Sequence, residues 1–139
     1  MHATAPRRVP SPTSDVDFRT RRSRERLALM VTRLFTLWEL SAAEQAALLG
    51  LSPDHRSTLA RYRKGEPLAE NRDLLDRAGH LLGIHKSLRI LFPRDRDLAY
   101  RWMSTVNRRM GARPVDLASE RGFEGLLAIR RYLDFERGT

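Results

Sequence analysis

The 139-residue chain is 41% hydrophobic and 31% charged, which suits one compact domain or two small helical units sharing a core. It contains no cysteine, and that excludes disulfides and cysteine-ligated zinc or iron–sulfur centres. Its formal charge is +9, and among its basic residues only Lys64 and Lys86 are lysines. Phosphates and carboxylates, which guanidinium binds through two parallel hydrogen bonds, are therefore the expected partner chemistry. The charge is spread, at +4 over residues 1–26, +2 over 27–93 and +3 over 94–139, so it does not by itself locate a nucleic-acid surface. No apolar run approaches the roughly 20 residues that span a bilayer. No apolar stretch of signal-peptide type follows Arg7 and Arg8, so no membrane partner is expected and the expected compartment is the cytoplasm.

Pro6, Pro10 and Pro12 stand among Ser, Thr and Arg with little to bury, so residues 1–16 read as a disordered arm. From about Asp17 the pattern turns helical, with Leu27, Met30, Val31, Leu34, Phe35 and Trp38 on one i, i+3/i+4 stripe. Ser41 and Glu44 form a capping box that opens a short helix closed at Gly50. Ser52-Pro53 predicts an N-cap followed by proline at the first helical position, and a helix running to about Lys64. Gly65 and Pro67 close it. A longer helix is expected from about Asn71 to Leu91, with Gly79 and Gly83 as points where it could bend, and Pro93 ends it. Residues 95–105 read as a further helix presenting Leu98 and Trp102. Pro114 opens a short helical turn, and Gly122 separates it from a last helix bearing Phe123, Leu126, Leu127, Ile129, Tyr132 and Leu133. The fold class is all-α, divided into residues 17–69, a helix-turn-helix region, and 70–139, a helical C-terminal domain.

Residues 41–64 have the layout of a helix-turn-helix. Ala46 and Ala47 permit close helix approach, Gly50 turns the chain, and Leu59 and Tyr62 can face a core. Arg56, Ser57, Thr58 and Arg61 fall on or near the opposite face, and Arg63 and Lys64 sit at its end. Side chains at the start of such a helix reach base edges, and peripheral Arg and Lys neutralise phosphates. These six residues are the DNA-contacting candidates. Two short packed helices inside a bundle give the same pattern without DNA. The run Arg21–Arg26, R-R-S-R-E-R, reads as a solvated helix face that could add phosphate contacts.

Nothing in the chain has the form of a catalytic centre. His80 and His85 are five apart and do not share a helix face as the two histidines of H-E-x-x-H do. The eight glycines are isolated, so no phosphate-cradling loop is present. Ser57-Thr58 and Ser104-Thr105 lack a local base. Asp73, Asp76 and Arg77 suit surface charge pairing. No enzymatic activity, cofactor or metal is expected.

The most specialised stretch is Trp102 to Leu117, W-M-S-T-V-N-R-R-M-G-A-R-P-V-D-L. Asn107 tolerates left-handed backbone, Gly111 supplies positive φ and Pro114 pre-sets the next helix, an architectural role. Trp102 is expected to anchor against the last helix. Taken with G-H-L-L-G-I-H-K-S-L-R-I-L-F-P from Gly79, Gly122 and R-R-Y-L-D from Arg130, this stretch resembles the Xre/MbcA/ParS antitoxin family. Members carry a similar I-H-K-x-L-R-x-L-F-P helix end and a W…PN…G-x-x-P-x-D-L connection. Val106 stands where the family has proline before the asparagine. The resemblance covers roughly residues 34–139.

The resemblance implies a type II antitoxin that inhibits a NAD-consuming RES-domain toxin by covering its active site with the C-terminal region. It also implies autoregulation through operator DNA. Toxin contact would then fall to Arg130, Arg131, Leu133, Asp134, Glu136, Arg137, Gly138 and Thr139, with acidic groups and a terminal carboxylate standing in for substrate charge. A homodimer is expected, because two recognition helices one DNA turn apart read a pseudo-palindrome. The alternative is a stand-alone helix-turn-helix regulator whose C-terminal helices dimerise or sense a ligand.

Overall fold

The computed structural model describes Asp17, residues 19–52 and residues 54–138. The expected arm over 1–16, Pro53 and Thr139 lie outside the described residues. Among the described residues seven α-helices follow one another: α1 (Arg21–Leu37), α2 (Ala42–Leu48), α3 (Arg56–Arg63), α4 (Arg72–Leu91), α5 (Arg96–Arg101), α6 (Pro114–Arg121) and α7 (Phe123–Glu136). A single 3-10 turn, Trp102–Ser104, continues α5. The described residues form no β-strand, only an isolated bridge between Asn107 and Ala112, and the all-α expectation holds.

Local side-chain chemistry sets most helix starts. The hydroxyl of Ser41 accepts from the Glu44 N–H at 3.1 Å while the Glu44 carboxylate accepts from the Ser41 N–H at 2.9 Å, so the expected capping box is complete. Asn71 accepts from the Leu74 N–H at 3.0 Å and starts α4 where the sequence placed it. Helix α4 then runs unbroken through Gly79 and Gly83. The expected start of α3 is corrected. Ser52 does not cap it: its hydroxyl and N–H both turn to His55 Nδ1, at 2.7 and 3.1 Å, and the helix begins at Arg56 without a side-chain cap.

Three helix ends share one closure. After α1, α2 and α3, paired backbone bonds reach back into the last turn: Leu40 to Phe35, Leu51 to Ala46 and Glu66 to Arg61. This motif places the residue after the cap in left-handed backbone, where glycine is favoured. Gly50 (φ 71) and Gly65 (φ 95) fill it after α2 and α3, but Glu39 (φ 56) fills it after α1.

One hydrophobic cluster unites the helices. Phe35 and Trp38 of the α1 segment, Leu81, Ile84 and Leu88 of α4, and Leu126 and Ile129 of α7 are all at most 2% exposed. Burying each such large side chain is worth about 1.5–3 kcal/mol. Helix α4 packs against α1 and also against α7, while α6 packs against α7 and α2. Gly125 lets α7 lie directly on α6, since a Cβ there would come within 2.5 Å of the Leu117 carbonyl oxygen. The face of α5 is also corrected. Leu98 and Trp102 are half-buried, and Ala99 and Met103 are the core positions.

Candidate functional site

Helices α2 and α3 pack as the pair the sequence suggested, with Leu59 and Tyr62 of α3 buried. Arg56, Ser57, Arg61, Arg63 and Lys64 are exposed and Thr58 is half-buried. They divide by engagement. Arg61 is tied to Glu66 at 3.3 Å and to the Thr58 hydroxyl at 3.4 Å, and Arg63 donates to Gln45 of α2 at 3.4 Å. Arg56 and Lys64 are unpaired among the described residues, so they are the cations this helix offers outward. In the run before it, Arg24 is a structural residue: it donates to the Leu68 carbonyl at 2.9 Å and fixes the segment leaving α3.

The C-terminal candidates separate into inward and outward groups. Leu133 is 1% exposed and belongs to the core, so its side chain presents nothing to a partner. Arg130 turns onto α4: its guanidinium fills the space a side chain at Gly83 would take, and Nη1 lies 3.4 Å from His80 Nδ1. Arg137 also turns inward and donates to the buried Ser87 hydroxyl at 3.1 Å. Asp134 is half-buried, whereas Arg131 and Gly138 are exposed. Glu136 is exposed and pairs with Arg109 at 3.0 Å, which ties the Asn107–Ala112 turn to the end of α7. Trp102 stacks on Tyr132 with centroids 6.1 Å apart and so meets the last helix as expected, though half-buried.

Sequence reasoning missed Phe135, which is 74% exposed. The signal was available. It falls two residues after Leu133, out of register with the Leu126, Ile129 and Leu133 stripe, so an inward aromatic was not to be expected there.

Two histidines are perturbed. Burial pushes His80 below its ordinary value, the Arg130 charge pushes the same way and Asp76 opposes it. Burial lowers His85 too, helped by Arg89. No group of histidine or carboxylate side chains among the described residues is placed to hold a metal ion. No described helix is long and apolar enough to cross a membrane.

Residues 19–83 match the antitoxin Xre-like helix-turn-helix domain, and residues 87–138 match the antitoxin Xre/MbcA/ParS C-terminal toxin-binding domain. The chain belongs to the Xre/MbcA/ParS antitoxin family. A protein of Sinorhizobium fredii (strain NBRC 101917 / NGR234), named as uncharacterized protein y4oB, is 37% identical over 108 residues. The shared stretch covers 76% of this chain and 80% of that one. The role that follows is that of an antitoxin in a toxin–antitoxin system, with a toxin as its partner.

The two matched regions of the antitoxin meet inside α4, and one arginine from each region holds an end of α2. Arg113, at the start of α6, reaches Glu44 at 3.4 Å and is itself gripped by Asp116 at 2.8 Å. That pairing holds the Asp116 carboxyl below its ordinary value. At the other end Arg77 lies against Gly50, pairs with Asp73 at 2.8 Å and sits 6.0 Å from the centre of the Phe123 ring.

Proposed function

We propose that this antitoxin neutralises a NAD-consuming RES-domain toxin by laying the outer face and end of α7 over the toxin's active site. The observation that carries the reading is Phe135, a large apolar side chain exposed within the toxin-binding domain and flanked by Arg131 and Glu136. An exposed aromatic beside charges of both signs is the composition of an interface anchor. Arg131, Asp134, Glu136 and Gly138 contribute toxin contacts beside that anchor, and Thr139 is assigned to the toxin from the sequence alone, while Arg130, Leu133 and Arg137 act by holding α7 on α4. The protein works by binding and not by catalysis, in the cytoplasm. As a homodimer it also represses its own operon, with α3 in the major groove, Arg56, Ser57 and Thr58 towards the bases, and Arg61, Arg63 and Lys64 towards phosphates.

Truncation before Arg130 is a poor test, because it deletes the buried Leu133. The informative variants are Phe135→Asp and Arg131→Glu. Each is expected to keep the helical circular dichroism and to lose rescue of cells expressing the toxin, with NAD consumption by the purified toxin restored at least about tenfold. Full inhibition by both variants would sink the α7 mechanism. For DNA, Lys64→Ala should flatten the log–log salt dependence of operator binding by roughly 1, for its one lost phosphate contact, and Arg56→Ala should relax base discrimination. An unchanged slope with unchanged discrimination would remove α3 from the DNA interface.

A further inference from the structure

Helix α1 carries more apolar surface outward than its own packing requires: Met30 is 52% exposed and Leu37 36%. Both line a groove of about 430 Å³ whose floor includes Leu82 and whose rim carries Arg33, Arg96 and Tyr100. Neither Arg33 nor Arg96 has a hydrogen bond or ion pair among the described residues. His85, which also lines this groove, adds no charge at neutral pH, since its burial favours the neutral ring. Across the ridge formed by Leu37 and Tyr100 lies a second groove containing Glu39 and Asp97. Their carboxylates likewise have no hydrogen bond or ion pair among the described residues. Arg101, the other charge there, donates to the Asp97 carbonyl oxygen at 3.4 Å within its own helix.

The face is therefore an apolar ridge with a basic groove carrying Arg33 and Arg96 on one side and, on the other, a groove where the two carboxylates outnumber the single guanidinium of Arg101. A twofold axis through the ridge exchanges the two grooves, so two copies would meet with each basic groove on the other's acidic one. A twofold interface must be complementary to itself, and this pattern is. We propose that the Leu37–Tyr100 ridge and its flanking grooves are the surface on which a second copy of this chain docks. The proposal deepens the dimeric reading above and rests on it. The apolar ridge supplies the buried area, and the charges fix register and exclude unlike partners.

The test is the solution mass of the full chain by light scattering, on wild type and two charge-reversed pairs. Arg33→Glu with Arg96→Glu and, separately, Glu39→Arg with Asp97→Arg should each halve the mass while keeping the helical circular dichroism. Mixed in equal amounts, the two reversed chains should recover the dimer mass, because each then meets its complement on both sides of the axis. That recovery also shows that both variants are folded. A wild-type dimer that survives either reversal, or reversed chains that fail to pair with each other, overturns this surface and leaves the dimeric reading standing. A monomeric wild type overturns both, and neutralisation of the toxin is scored apart by NAD consumption.

Discussion

Gly79 and Gly125 both lie inside helices, and their surroundings set opposite outcomes for alanine. Nothing comes within 4 Å of a Cβ built on Gly79, so Gly79→Ala is expected to gain helix propensity freely, up to about 1 kcal/mol. A Cβ on Gly125 would press on the backbone of α6, so Gly125→Ala is expected to lose about 1–3 kcal/mol by overpacking. Urea midpoints should rise for the first variant and fall for the second. His80 and His85 predict a pH dependence of known sign. Their folded-state pKa values lie below the ordinary 6.5, so the unfolded chain takes up protons that the folded one refuses. Their contribution is whole above 6.5 and declines as pH falls from there towards the folded values. The unfolding midpoint should climb from pH 5 to pH 7, and His80→Gln with His85→Gln should flatten that climb. Asp116 behaves separately, since a carboxyl held low by Arg113 loses its contribution only as pH falls from 3.8.

At the scale of elements, the two arginines that hold α2 are not equal. The Arg77 side chain is 13% exposed and lies against Gly50 and Phe123, whereas Arg113 is 37% exposed. Arg77→Ala should destabilise by about 1–3 kcal/mol through lost packing, the exposed Asp73 adding little, and Arg113→Ala should leave the unfolding midpoint almost unmoved. Denaturant titration of both separates a packed staple from a solvated one. The same contrast explains what the sequence disclosed. Ser41, Glu44 and Asn71 announced their helices because a cap is a bond to backbone three residues away. Ser52 misled because a second local partner, His55, competed for its hydroxyl. The inward turn of Arg130 and Arg137 was illegible, since it depends on Gly83 and Ser87, about 50 residues distant along the chain and brought near only by the packing of α7 on α4. In α5, two turns gave too few positions to choose between the Leu98 and Ala99 faces, and tertiary packing chose.

For the molecule as a whole, α4 serves both halves of one hydrophobic cluster, so neither half has a core to itself. Unfolding is expected to be a single cooperative transition. The two tryptophans provide the check. Trp38 is 2% exposed beside the helix-turn-helix, and Trp102 stacks on Tyr132 in the C-terminal half. Fluorescence of Trp38→Phe and Trp102→Phe variants should each give a midpoint coincident with that variant's far-UV circular dichroism. Two separated midpoints would mean that α4 does not couple the halves. The seven-helix order followed from periodicity and punctuation, but the sharing of α4 did not, because a stripe on a helix says that it is covered and not by what.

The left-handed Glu39 at the end of α1 has a consequence of its own. A non-glycine residue there costs roughly 1 kcal/mol against glycine's freedom. Glu39→Gly should therefore make the isolated fold harder to melt while removing one of the unpaired carboxylates. Heat resistance and self-association would move in opposite directions upon one substitution, a trade in which the chain gives up backbone ease to keep a charge.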